Sequence, residues 1–368
     1  MNRLASALAA MALAVLSMAA TPVQAVVAAP TAFAGEVSAE ERREILDLEI
    51  RAKWRRYVDR FITSAGRVID NGNGDISHSE GQGYALILAA QAGDRPTFDL
   101  VLSWTERELF AGGQFAAWRW DPAVVPHITD ANNATDGDIL IAWGLMLAKE
   151  AFGEPAYGRR GEDLIRAIYG KLVIDTTIGP ALTPGASGFS PEDFADGPIV
   201  NPSYWVFPAL TLFADVTPDL DWRAVSETGY RLLREGRFGP LQLPTEWVAL
   251  GDDMPLPAAE FAPDFSYNAM RIPLYLALDD AAPRDLLGPF VGMWNADEDI
   301  GPFVVRVHTG EAGELLGGQG YKAAFALADC MAGHRRVRSD FTEDDLYYPA
   351  TLGLFALHKI SEEFSSCL

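Results

Sequence analysis

The residues best suited to chemistry are carboxylates set among glycines and aromatic rings. Residues 71–84 read Asn71-Gly72-Asn73-Gly74-Asp75-Ile76-Ser77-His78-Ser79-Glu80-Gly81-Gln82-Gly83-Tyr84. Asn and Gly supply the turn, Ser79 or Ser77 can cap the helix that follows, and Gly81 and Gly83 are expected to leave open space beside Glu80. A Glu in a first turn ordinarily complements the helix dipole and nothing more. Two glycines, however, each cost a helix interior about 1 kcal/mol, and a plain cap does not require them. The segment therefore reads as a carboxylic acid opening a helix inside a crevice. A second acidic stretch, Asp130-Ala131-Asn132-Asn133-Ala134-Thr135-Asp136-Gly137-Asp138, runs straight into the apolar helix of Ile139 to Leu147. Asp136 and Asp138 fall in its first turn on different faces; capping is their ordinary role, and no downstream Glu completes a hand-type calcium loop. Between the two stretches lies Trp118-Arg119-Trp120-Asp121. Indoles beside carboxylates suit sugars, whose C–H faces stack on the ring while their hydroxyls seek acidic acceptors; a buried core pair of tryptophans is the alternative.

The elements that must hold these residues are helical. The apolar period predicts helices near 38–62, 80–92, 96–110, 135–152, 159–173, 203–214, 221–235, 266–279, 283–296, 319–332 and 343–363. Their connections are long and rich in Gly, Pro, Asp and aromatics at 71–79, 115–134, 176–202 and 238–263, the kind of loop that carries function. No repeat of fixed period aligns, which disfavours a solenoid and favours a toroid of paired, divergent helices. The chain of 368 residues has 29 Lys and Arg against 51 Asp and Glu, a net charge of −22, so nucleic acid and anionic membrane surfaces are excluded as partners. Residues 1–25 read as a secretory signal peptide, with Asn2 and Arg3 before an apolar run and small residues at the cleavage site, or with cleavage as late as residue 34; an uncleaved anchor is the alternative, for which the run is short. Residues 36–368 then form one catalytic domain, periplasmic or secreted, and expected to be a monomer. An oxidising compartment permits a bridge between Cys330 and Cys367, although Cys330 would serve equally as a small buried hydrophobe. Two distant cysteines and five scattered histidines give no metal-ligand spacing, and no cofactor motif is present.

Ser79-Glu80-Gly81-Gln82-Gly83-Tyr84, Ala134-Thr135-Asp136-Gly137-Asp138 and Phe265-Ser266-Tyr267-Asn268-Ala269-Met270-Arg271-Ile272-Pro273 together resemble three signature segments of glycoside hydrolase family 8. The resemblance spans about residues 50–330. It implies an all-α (α/α)6 barrel with an open cleft and inverting, metal-free hydrolysis of a β-linked glucan. It also implies association with a cellulose synthesis apparatus, since the family includes cellulases that accompany bacterial cellulose synthesis. Carried over by motif, Glu80 resembles the general acid and Asp136 the aspartate that grips the distorted sugar, while Trp118, Trp120, Tyr204, Tyr267 and Arg271 fall where the family lines its subsites. One position departs: the family's usual base, an Asp, is here Asn268, and a neutral amide can orient water but cannot accept its proton.

Glycosidic cleavage requires a protonated carboxyl at the leaving oxygen and, for inversion, a carboxylate roughly 6.5–9.5 Å away to activate water. The helix N-terminus lowers the pKa of Glu80, whereas an ionised Asp136 and burial raise it, so the pair makes physical sense only together. The missing base is sought among Glu246, Asp252, Asp253, Glu260 and Asp264; Asp264, shortly before Asn268, is favoured, with capping of the following helix as its other role. The expected activity is an exported endo-β-1,4-glucanase acting on cellulose-like polymers or oligosaccharides. A lichenase or chitosanase, or a catalytically weak glycan-binding protein, are the alternatives.

Overall fold

The structure, a computed structural model, describes residues 38–251, 254–294, 303–333, 345–363 and Cys367. The signal-peptide reading lies outside the described residues. Eleven α-helices are described: α1 (Ala39–Phe61), α2 (Ser79–Gln91), α3 (Arg95–Thr105), α4 (Thr135–Phe152), α5 (Pro155–Leu172), α6 (Phe207–Val216), α7 (Trp222–Glu235), α8 (Arg271–Leu278), α9 (Gly288–Trp294), α10 (Gln319–Met331) and α11 (Tyr347–Glu362). Helices α2, α4, α8 and α11 are buried nearly all round. A helix that is apolar on every side must be surrounded by protein, whereas α3, α5 and α7 bury a single stripe and face water with the rest. That division produces an inner and an outer ring. α11 packs against α1, α2, α8 and α10, so the two ends of the described chain meet and close the (α/α)6 barrel around one continuous core.

The glycines of the acidic helices act differently from expectation. A Cβ on Gly83 would lie 2.5 Å from Leu140 Cβ, one on Gly144 would lie 2.8 Å from Leu86 Cβ, and one on Gly137 would lie 2.0 Å from Ser79 Oγ. These positions are not open space. They let α2 and α4 pack backbone to backbone and bring the first turn of one helix against the first turn of the other. The proximity of Glu80 to Asp136 is thus set by helix packing.

Short antiparallel strands, which the helical period concealed, organise the loops. β1 (Ser77–His78) pairs with β2 (Arg119–Trp120), tying the Glu80 segment to the tryptophan segment. β3 (Val173–Thr176) and β4 (Gly179–Leu182) form a hairpin at the start of the long connection. β5 (Ile199–Val200), β6 (Val248–Ala249) and β7 (Leu256–Pro257) form one sheet; β8 (Asp264–Phe265), β9 (Phe303–Arg306) and β10 (Glu311–Leu315) form another, immediately ahead of Asn268. The helix expected from residue 266 begins only at Arg271, because residues 266–270 are a turn. The helix expected from residue 159 begins at Pro155, behind the side-chain cap of Glu154, a proline signal the apolar period does not carry. Cys330 and Cys367 are bonded, and both are also buried. Closing a loop of 37 residues is worth about 3–4 kcal/mol in the chain-entropy account.

Candidate active site

A cleft of about 840 Å³ runs along the mouth of the barrel, with Glu80, Asp136, Trp118, Tyr204, Tyr267 and Asn268 among its lining residues. That volume suits a multi-residue ligand. Its floor is built on Arg271, the first residue of α8, which is wholly buried. Arg271 Nη1 donates to Glu80 Oε2 at 2.5 Å and to Asp136 Oδ2 at 2.6 Å. Nη2 donates to Ser203 Oγ at 2.9 Å and to Asn268 Oδ1 at 3.1 Å, and Nε donates to the Asn268 carbonyl at 3.2 Å. Ser203 Oγ in turn donates to Asn201 Oδ1 at 2.7 Å. One rigid guanidinium therefore fixes the relative positions of two carboxylates, an amide and a hydroxyl.

Glu80 keeps 16% of its side chain exposed, enough for one oxygen to meet a ligand, while the Asp136 side chain keeps 2%. Burial pushes the Glu80 carboxyl above the usual range; Arg271 pulls it down, and Asp136 and Asp70 push it up again. This is the direction a proton donor requires. Because both oxygens bind one nitrogen, at 2.5 and 2.6 Å, the Glu80 and Asp136 oxygens stand no more than about 5 Å apart. That is too close for the two groups to be the acid and base of an inverting pair with a water between them.

The turn ahead of Glu80 is capped by neither serine. His78 Nδ1 accepts the Gly81 N–H at 2.9 Å, and its Nε2 faces Asp70 Oδ2 at 3.4 Å. An Nδ1 that accepts a hydrogen bond is unprotonated, so the geometry requires the Nε2–H tautomer. Ser77 Oγ points inward and donates to the Val68 carbonyl at 2.5 Å, and Ser79 Oγ is buried without a partner.

Asp138, one turn face away from Asp136, is a buried clamp. Its Oδ1 accepts the Ala116 N–H at 3.0 Å and its Oδ2 accepts Asn133 Nδ2 at 2.8 Å, while Asn133 Oδ1 accepts the Ala186 N–H at 2.8 Å. The network joins the loop that carries Trp118 to the loop on the opposite side of Asn133. Burial pushes the Asp138 carboxyl up to about 7, against the pull of the Ala116 and Asn133 donors. Asp138→Asn keeps the shape but turns one acceptor into a donor facing a donor. Asn133 cannot flip to compensate without abandoning Ala186. The expected cost is roughly 1–3 kcal/mol, read as a lower urea midpoint at unchanged slope.

The aromatic expectations divide. Trp118 lines the cleft, its Nε1 donating to Asp130 Oδ2 at 2.9 Å, and Tyr204 and Tyr267 line it as well. Trp120 does not. Its ring lies edge-on to Trp104 at 5.8 Å and against His127 at 4.1 Å, with the Arg67 guanidinium above it, so it fills the structural role set out as the alternative. Sequence reasoning missed Phe189 and Trp247, whose rings stack 5.8 Å apart on one side of the cleft, and Tyr321 and Tyr348 in its lining. The pattern that singled out Trp118, an indole beside a carboxylate, also occurs at Glu246-Trp247.

Asn268 sits in the cleft, as its motif implied. Asp264 does not. It lies in β8, is absent from the cleft lining, and its carbonyl accepts the Glu246 N–H at 2.9 Å. Nor does it cap α8, which starts at Arg271 with no side-chain cap. Glu260 is exposed and away from the lining, and Asp252 and Asp253 lie outside the described residues. Among the described candidates Glu246, itself outside the cleft lining, is the one that touches Asn268: its Oε1 accepts the Asn268 N–H at 2.9 Å, and its Oε2 stands 3.5 Å from Asn268 Nδ2. Among the described residues no three His, Cys, Asp or Glu side chains converge as a metal site.

Comparison with known proteins agrees with this geometry. The chain is 39% identical over 230 residues to an endoglucanase of Cellulomonas uda, covering 62% of this chain and 63% of that one. An endoglucanase of Klebsiella pneumoniae described as a family 8 glycosyl hydrolase superposes with a TM-score of 0.77 at 35% identity, covering 84% of this chain and 99% of that one. An endo-β-1,4-glucanase of Acetobacter xylinum gives 0.78 at 32% identity, covering 86% and 98%. The family profile described as Glycosyl hydrolases family 8 matches residues 9–361. A match over nearly the whole chain, with superposition on solved family members at this level of identity, shows that the chain is a glycoside hydrolase and belongs to glycosyl hydrolases family 8.

Proposed function

We propose that the protein is an endo-β-1,4-glucanase that works with inversion of the anomeric centre. The observation that carries this reading is the shared Arg271 nitrogen, which supports a proton-donor role for Glu80 beside Asp136 and denies Asp136 a nucleophile's freedom. A carboxylate clamped at 2.6 Å by a buried guanidinium is a poor nucleophile, which favours attack by water over a covalent intermediate. Asp136 then holds Glu80 and accepts a sugar hydroxyl. The activities of the relatives, endoglucanase and endo-β-1,4-glucanase, support a β-1,4-glucan as the substrate. Export to the periplasm or medium is part of the proposal and rests on the N-terminal sequence.

Asn268 gives one specific reason to keep the weaker, glycan-binding reading in view. Both are decided by one assay on the mature chain with carboxymethylcellulose, mixed-linkage glucan and chitosan. The expected result is a fall in carboxymethylcellulose viscosity that outruns release of reducing ends, with the α-anomer as first product by proton NMR. A β-anomer would overturn inversion, preference for chitosan would overturn the glucan assignment, and binding without cleavage of any polymer would overturn hydrolysis.

A further inference from the structure

We infer that Glu246 is the general base, taking the proton of a water that Asn268 orients; the inference rests on the inverting hydrolase reading above. The Asn268 side-chain oxygen, Oδ1, is occupied by Arg271 Nη2 at 3.1 Å, so the side of the amide available to water is Nδ2, a donor. A water accepting from Nδ2 has its oxygen lone pair fixed and its hydrogens free, and it then needs an acceptor. Glu246 Oε2 stands 3.5 Å from that same nitrogen, a long and weak hydrogen bond, so a water accepting from Nδ2 lies within reach of Oε2 and competes with it for that donor. Oε1 is committed elsewhere, to the Asn268 N–H at 2.9 Å, and the Glu246 N–H is anchored on the Asp264 carbonyl at 2.9 Å. The carboxylate is therefore held from both ends, with Oε2 in the longer of its two contacts with Asn268.

Glu246 stands just behind the cleft lining, against Asn268, which is part of it, and the carboxylates that line the cleft beside Glu80 are engaged differently. Asp136 is clamped on Arg271, Asp70 faces His78 on the acid's own segment, and Asp130 accepts from the Trp118 indole. Burial also lifts the Glu246 carboxyl above the ordinary range, opposed by the Asn268 and Ala269 amides and by Arg271, a direction that increases its basicity. In the step itself the water oxygen bonds to the anomeric carbon as the glycosidic C–O bond breaks. The Glu80 proton goes to the leaving oxygen, one water proton goes to Glu246 Oε2, and exchange with solvent restores both groups.

The test uses the mature full chain carrying E246Q, E246A, N268D or E246Q with N268D, each checked for a native melting profile. Gln keeps an oxygen for the Asn268 N–H, so E246Q spares the anchor and removes the base. The expected result is a loss of kcat on cellopentaose of about 10² to 10⁴-fold with KM within about threefold. Azide should restore turnover of E246A and yield the α-glycosyl azide, and N268D should restore most of the activity of E246Q by supplying a carboxylate at the cleft. An E246Q enzyme within tenfold of wild type overturns the inference. So does an inactive E246Q that neither N268D nor, for E246A, azide revives, since that is the behaviour of a structural anchor. A wild type that cleaves none of the three polymers overturns the hydrolase reading first and this role with it, an outcome distinct from an active wild type indifferent to Glu246.

Discussion

Glu80→Gln lowers kcat on soluble glucan by about 10² to 10⁴-fold and leaves oligosaccharide affinity within a few-fold, the size of effect general acids supply. The substitution deletes a proton and almost no volume. Its carbonyl oxygen still accepts Arg271 Nη1 in place of Glu80 Oε2, so Arg271 keeps its grip on Asp136, Ser203 and Asn268 and the cleft keeps its shape. Binding and chemistry therefore separate cleanly, and isothermal titration with cellotetraose beside single-turnover kinetics reads both. A turnover within tenfold of wild type would reduce Glu80 to a helix-terminal charge. A parallel loss of affinity would mean that the ligand, rather than the leaving oxygen alone, depends on the acid form.

That Glu80 and Asp136 could be picked out beforehand has a physical basis. Each is an acid in a first turn with a glycine beside it, and such combinations are too costly to be idle. Their meaning was harder to read. Gly83, Gly137 and Gly144 signal a constraint, but a sequence does not say whether a missing Cβ makes room for a ligand or for a neighbouring helix; here Leu140, Ser79 and Leu86 fill the space. The helices were legible because α2, α4 and α11 carry long apolar runs. The two-residue strands β1 and β2 were not, since two residues hold no period, yet they lash the acid to Trp118. Trp120 and Trp118 are two residues apart on an extended segment with identical local chemistry. Only the position of Trp104 and His127 decides which ring packs against the core and which faces the cleft. Asp264 stands outside the cleft lining for a related reason. Nearness to Asn268 in sequence presumed a continuous helix, and the intervening turn instead gives that neighbourhood to Glu246, twenty-two positions upstream.

Asp136→Asn should cripple the enzyme by a different route, and its pH profile carries the evidence. Asp136 is one of the charges that push the Glu80 carboxyl up, and it also shares Arg271 Nη1. Neutralising it removes a negative neighbour and leaves the arginine's charge to bear more fully on Glu80. Both changes lower the pKa of the acid. The form that loses activity on deprotonation is the protonated donor, so the alkaline limb of kcat must move to lower pH. At neutral pH kcat falls about 10²-fold, and part of that loss returns as the pH is lowered. The fold also pays a measurable cost. Asp136 Oδ1 accepts the Gly137 N–H at 2.8 Å and Oδ2 accepts Arg271, so the amide must turn its NH2 toward one donor or the other, at roughly 1–3 kcal/mol. Melting profiles of this variant therefore belong beside the kinetics, which are read only where the protein is folded. An alkaline limb that stays in place while activity is lost would show that Asp136 acts on the sugar alone, and that burial by itself keeps Glu80 protonated.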